Sequence, residues 1–239
     1  MWTMKEFPSE SERLNLTSEP ENSTEKTEDA PTSTRKSLQI PRRAFHCASG
    51  VIAGLIYQLL LTHKQAVYIL GLSASVLYIL EQIRINYPKI AYLHLLNKYF
   101  LRAEEHLKES AAIPYLMGLL LTIISFPKSI SLIAIYTLAI SDPLSAIVGI
   151  KFGKRSIVDG KSIEGSAAFL VSSFLVSYLI LTSIPGNSAM AVGLVSLFLS
   201  LFMTAFEMIP LKLDDNLTIP LATAIILWII SSYVGLNVV

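Results

Sequence analysis

One cysteine, Cys47, stands in 239 residues, so the chain can close no disulfide within itself, and it has no Cys/His spacing for structural zinc. Charge is scarce as well: Asp, Glu, Lys and Arg make up 15% of the chain against 52% hydrophobic residues, with a mean hydropathy of +0.55. So little charge excludes an ordinary soluble domain and indicates a polytopic membrane protein. An apolar core of signal-peptide length is missing from the N-terminal region, which argues against a cleaved leader. No inverted repeat of the kind that marks many transporters is visible. The net charge of +1 says nothing about partners until it is divided between the two sides of a membrane.

Residues 1–37 are rich in Ser, Thr, Glu and Pro, with eight acidic residues against five basic ones and no apolar periodicity. Such a composition cannot bury enough surface to offset chain entropy, so this segment is expected to be a disordered cytoplasmic tail. The remainder, residues 38–239, is expected to form the transmembrane catalytic domain. Seven apolar stretches, roughly 44–62, 65–83, 111–127, 129–150, 165–184, 188–208 and 217–236, approach the ~20 residues a bilayer needs. The expected fold is an all-α membrane protein, a bundle of about seven transmembrane helices. Residues 88–110 alternate Tyr, Leu and Phe with charged residues at near-helical spacing and read as an amphipathic helix lying in the interface.

Fourteen lysines and arginines flank these stretches on the side of the N-terminal tail, whereas the other side has only Lys64 and Lys128. The positive-inside rule therefore places the N-terminus in the cytoplasm and the C-terminus outside. It also collects every candidate chemical group on the cytoplasmic face.

Four polar constellations gather there. Arg42, Arg43 and His46 stand at the mouth of the first stretch, with His46 one helical turn beyond Arg43. Glu81 and Arg84 end the second, at a spacing that allows an ion pair on one helix face. In the stretch SDPLSAIVGIKFGKRSIVDGKSIEGS, residues 141–166, Asp142, Ser145 and Gly149 share one helical face and Gly153 extends the row of small residues. A carboxylate costs roughly 2.5–3.5 kcal/mol at the centre of a membrane helix, so Asp142 calls for a task. Pro143 removes a backbone donor and loosens the helix there. Lys154, Arg155 and Lys161 can spread over a polyphosphate, and Gly165-Ser166 can offer backbone N–H groups to an anion. Finally Glu207, Asp214, Asp215 and Asn216 are hard oxygen donors suited to Mg²⁺ shared with phosphates, although Asp214 could equally cap the last helix.

In order, these stretches resemble the CTP-dependent lipid-alcohol kinase family, which includes dolichol kinase, phytol kinase and the CTP-dependent diacylglycerol kinases, with bacterial diacylglycerol/polyprenol kinase relatives. The matching residues are Arg42-Arg43…His46, Glu81…Arg84, Asp142…Gly149…Phe152-Gly153-Lys154, Lys161-Ser162-Ile163-Glu164-Gly165-Ser166 and Asp214-Asp215-Asn216…Pro220. Ser141 and Ser145 stand where the family has Gly and Ala; both are small, so close packing is kept. The resemblance implies transfer of the γ-phosphate of CTP to the hydroxyl of a diacylglycerol, polyprenol or phytol type of alcohol, with Mg²⁺ or another divalent cation. It implies catalytic roles for Asp142, Lys161, Glu164 and His46. Nucleotide binding is implied for Arg42, Arg43, Arg84, Gly149, Gly153, Lys154, Arg155, Ser162, Gly165 and Ser166. Metal binding is implied for Asp142, Asp214, Asp215, Asn216 and Glu207. Expected partners are a membrane lipid alcohol and a nucleoside triphosphate, with no nucleic acid. The site would lie on the cytoplasmic face of the inner membrane in a bacterium or of the endoplasmic reticulum in a eukaryote.

Two rivals stay open. A CTP-dependent phosphatidate cytidylyltransferase shares part of the aspartate and K-x-x-E-G pattern, but its signature has Ser-Pro before the lysine where this chain has Asp159-Gly160. A non-enzymatic transporter would need ionisable residues deep in several spans, and the fifth and sixth stretches hold no Asp, Glu, His, Lys or Arg before Glu207 at the very end of the sixth.

Overall fold

The computed structural model describes residues 32–86, 112–158, 161–211 and 213–238. Residues 1–31 of the expected tail and the whole of the expected interfacial helix lie outside them, while residues 32–37 of that tail begin a helix. The described residues are helical apart from one short hairpin. Helices α1 (Thr32–Leu59), α2 (His63–Asn86) and α3 (Ala112–Ser125) are followed by α4 (Lys128–Tyr136), a π-helical turn (Thr137–Ser141) and α5 (Asp142–Phe152), which run on as one rod. Strands β1 (Ser156–Val158) and β2 (Lys161–Ser162) lead to α6 (Ile163–Thr182), α7 (Ala189–Glu207) and α8 (Asp215–Val234). Five of these are long and apolar enough to cross a membrane: α2, the α4–α5 rod, α6, α7 and α8. Helix α3 is apolar but shorter, at 14 residues.

The α4–α5 rod is the axis of the bundle, with 56% of its most apolar window buried against 11% for α2. Ile130, Ile133, Leu138 and Ala139 are fully enclosed, packed with Phe169, Leu199, Met203, Ile219 and Leu227 from the later helices. Lipid tails are as apolar as leucine, so close backbone approach rather than a hydrophobic drive must hold the helices together. Gly50 and Gly54 let α1 lie against the rod: a Cβ on either would fall 2.6 Å from Ala139 Cβ or from the Tyr136 ring. Buried hydroxyls line α6, α7 and α8, and among the described residues all but Ser166 and Ser196 donate within their own helices. Ser177 donates to the Ser173 carbonyl (2.8 Å), Thr204 to Ser200 (2.7 Å) and Thr223 to Ile219 (2.7 Å).

The end of the bundle away from the basic residues is tied by side chains reaching backbone. Lys128 Nζ donates to the carbonyls of Gln58 and Leu61 at the close of α1. Asn187 exchanges hydrogen bonds with Asn237, linking the α6–α7 turn to the segment after α8. These ties set the turns, and so align the helices whose other ends carry the charged groups.

Candidate active site

The π turn positions the central acid. Pro143 has no N–H and its ring would collide with the carbonyl four residues back in a regular helix. The rod widens before it: the Asp142 N–H reaches back to the Thr137 carbonyl, five residues away. Single π turns inside α-helices recur at functional sites. Asp142 emerges half-buried at the junction, with Pro143 and Ser145 enclosed beside it.

Four charges from four other elements act on Asp142: Arg43 of α1 and Lys161 of β2 attract it, and Asp215 of α8 and Glu207 of α7 repel it. Lys161 forms an ion pair with Glu207 Oε1. Glu207 is the last residue of α7 and is almost wholly buried, and its second oxygen, Oε2, has no hydrogen-bond partner. A buried carboxylate oxygen without a donor is costly, and a cation or donor brought to it would offset that cost.

The neighbouring glycines serve the fold. A Cβ on Gly165 would stand 2.7 Å from the Ser145 carbonyl and 3.4 Å from Gly149 Cα, so α5 and α6 touch backbone to backbone there. Ser162 is the N-cap of α6, its hydroxyl accepting the Gly165 N–H (3.1 Å), and Gly153 lies against the same side chain. The Gly165 N–H expected to be free for an anion is thus capped. Ser166 Oγ, one residue on, is buried with no hydrogen-bond partner. Glu164, expected among the catalytic groups, accepts the Lys154 N–H (3.2 Å) and orders the exit from α5. The segment between α5 and α6 is a hairpin pairing Ser156 with Ser162 and Val158 with Lys161; Lys154 and Arg155 stand exposed at its base.

At the start of α8, Asp214 Oδ1 accepts the Asn216 N–H (2.9 Å), the capping role its position allowed, and leaves Asp215 as the free acid of the pair. Asn216 is half-buried, and its carbonyl lies against Gly118 of α3. His46 packs edge-on against Tyr115 of α3, centroids 5.0 Å apart. Glu81 and Arg84 form a buried ion pair (2.5 Å) on α2. Arg42 is helical, but its side chain lies outside the description.

The donor set fits a divalent cation only in part. Asp142, Glu207 and Asp215 offer hard oxygens, and Glu207 Oε2 is unsatisfied. Yet among the described residues no three His, Cys, Asp or Glu side chains stand together in ligating geometry. Such a set could give an ion one or two carboxylates and not a complete protein cage.

No protein-family model and no solved structure matches the chain. An uncharacterised protein of Rickettsia prowazekii is 33% identical over 190 residues, 76% of this chain and 89% of that protein. The chain belongs to its family. Among further relatives, the CTP-dependent diacylglycerol kinase 1 of Saccharomyces cerevisiae is 27% identical over 208 residues, 78% of this chain and 71% of the yeast protein. Its namesake in Schizosaccharomyces pombe is 27% identical over 210 residues, 82% and 94% of the two chains. The chain is thus a distant homologue of the CTP-dependent diacylglycerol kinases.

Sequence reasoning missed three elements that build this family member's charged end. The Lys161–Glu207 pair spans 46 residues and leaves no local pattern. Tyr115 looks like any interfacial aromatic, although its hydroxyl is buried and has no hydrogen-bond partner. The close approach of α1 was also missed, although the G-x-x-x-G spacing of Gly50 and Gly54 is a signal that could have found it.

Proposed function

We propose that the chain is an integral-membrane kinase that transfers the γ-phosphate of CTP to the hydroxyl of a lipid alcohol, with diacylglycerol as the first acceptor to test. The convergence of Asp142, Lys161, Glu207, Asp215 and Arg43 from five elements supports this reading most directly. Phosphoryl transfer asks for positioning and charge neutralisation more than covalent help, and a cluster of fixed opposite charges supplies both.

In this mechanism Lys161, oriented by Glu207, and Arg43 face the triphosphate and neutralise charge developing on the γ-phosphoryl oxygens. Lys154 and Arg155, exposed on the hairpin, gather the outer phosphates. One or two of Asp142, Asp215 and Glu207 would hold Mg²⁺, which when bound would neutralise the triphosphate. The acceptor oxygen attacks the γ-phosphorus, the bond to the β–γ bridging oxygen breaks, and CDP leaves. His46, one turn beyond Arg43 and held by Tyr115, takes the hydroxyl proton. The charged end faces the cytoplasm, where CTP is available.

The test is a transfer assay on membranes containing the protein, with γ-labelled CTP, Mg²⁺ and a panel of lipid alcohols, beside Asp142→Ala. Label in an organic-soluble product, dependent on Asp142 and abolished by EDTA, is the expected result. Label incorporated instead from α-labelled CTP into a phospholipid, with release of pyrophosphate, would replace the kinase by a cytidylyltransferase.

A further inference from the structure

Beside the charged cluster an apolar groove of about 520 Å³ runs between α1 and the α4–α5 rod. Ala44, Cys47, Ala48, Val51 and Ile52 form one wall; Ile140, Pro143, Leu144 and Ile147 form the other. Its size falls in the roughly 300–1,000 Å³ range of sites that hold one small ligand rather than a protein partner. The walls present no charged side chain and no hydroxyl, so water inside would find no donor or acceptor among these side chains except the cysteine thiol. The groove is open rather than roofed, and Leu144 and Ile52 stand exposed along it, as residues in contact with lipid do.

Its ends tie it to the site. Ala44 lines the groove and its neighbour Arg43 acts on Asp142; Pro143 lines it and its neighbour is Asp142 itself. Apolar walls thus meet the charged cluster at adjacent residues on both helices. A molecule filling the groove must be apolar along its length, and its polar end must tolerate a cation and carboxylates. A lipid with one hydrocarbon chain in the groove and a small hydroxyl-bearing head at the cluster meets both conditions.

We infer that this groove holds a hydrocarbon chain of the lipid acceptor and thereby sets the depth at which its hydroxyl meets the phosphoryl donor. The inference rests on the kinase reading and adds the acceptor's binding surface to it. Alanines at 44 and 48 leave the width for a chain, and larger residues there would select against long or branched tails.

The chain's only cysteine makes the groove directly observable. In the wild-type protein in vesicles, saturating long-chain diacylglycerol should slow modification of Cys47 by an apolar maleimide at least roughly fivefold, and a tailless glycerol should not. Ala48→Trp, which fills the groove, should raise the KM for long-chain diacylglycerol roughly tenfold and that for a short-chain, water-dispersed diacylglycerol by clearly less, a ratio that a general loss of activity would not change. Ile147→Trp fills it from the other wall and serves if the first variant does not fold. Unprotected Cys47 together with an unchanged long-chain KM in a correctly folded variant, in a preparation that does phosphorylate diacylglycerol, would overturn the groove and leave the kinase standing. Absence of transfer from wild-type protein to any alcohol would instead remove the kinase, and the groove assignment with it.

Discussion

Glu207 sits at the floor of the charged end with one oxygen on Lys161 and the other without a partner. Removing one member of such a pair leaves a buried charge uncompensated, so Lys161→Ala should destabilise the protein by about 1–3 kcal/mol as well as abolish transfer. Pairing it with Glu207→Gln should restore most of the stability and none of the activity, a double-mutant cycle readable by thermal unfolding in detergent. Asp142 invites the opposite trade. Burial disfavours its charge, and the repulsion of Asp215 and Glu207 offsets the attraction of Lys161 and Arg43, so Asp142→Asn should keep or raise thermal stability while transfer falls at least roughly a hundredfold. A loss of stability on that substitution would mean that Asp142 is a structural ion-pair partner rather than a group held for chemistry. His46→Gln should lower kcat by roughly 10²–10⁴ with little change in the KM for CTP, the pattern of a lost proton acceptor.

Between the residues and the bundle stand the places where helices meet without side chains. A Cβ on Gly118 would fall on the Asn216 carbonyl and 3.0 Å from Leu217 Cα, displacing the start of α8, where Asp215 stands. Gly118→Ala should therefore cost about 1–3 kcal/mol and depress transfer, as should Gly165→Ala against the Ser145 carbonyl. Gly193, where an added Cβ meets nothing within 4 Å, is the control: its alanine variant should be neutral or up to about 1 kcal/mol more stable, measured the same way. Much of this level was legible beforehand. Apolar length located α2 and α4 to α8, and the small-residue row at Ser145, Gly149 and Gly153 marked the α5–α6 contact. What composition left open was the use of each small or acidic residue. Asp214 could cap or ligate, and it caps; Gly165-Ser166 could cradle an anion or end in a cap, and Ser162 takes the Gly165 N–H. Such choices depend on which neighbour a fold delivers, and a residue 46 positions away, as Glu207 is from Lys161, leaves no trace in a local pattern.

For the molecule as a whole the asymmetry of basic residues makes a claim that labelling can settle. In a Cys47→Ser background, a membrane-impermeant maleimide added to intact cells should modify Ser183→Cys, in the α6–α7 turn, and leave Arg155→Cys, on the hairpin, untouched until the cells are opened. The reverse pattern would put the charged end outside, away from cytoplasmic nucleotide, and remove the kinase reading with it. The π turn at Thr137–Ser141 has a further consequence for this bundle. A π turn amounts to one surplus residue in an α-helix, and each residue turns the helix by about 100°. Inserting a second surplus residue beside that turn would leave the rod long and apolar enough to enter a membrane, yet turn Asp142 about 100° away from Lys161 and Arg43. Insertion and chemistry are therefore written into the same rod in separable ways, and a single codon divides an inserted protein from a working one.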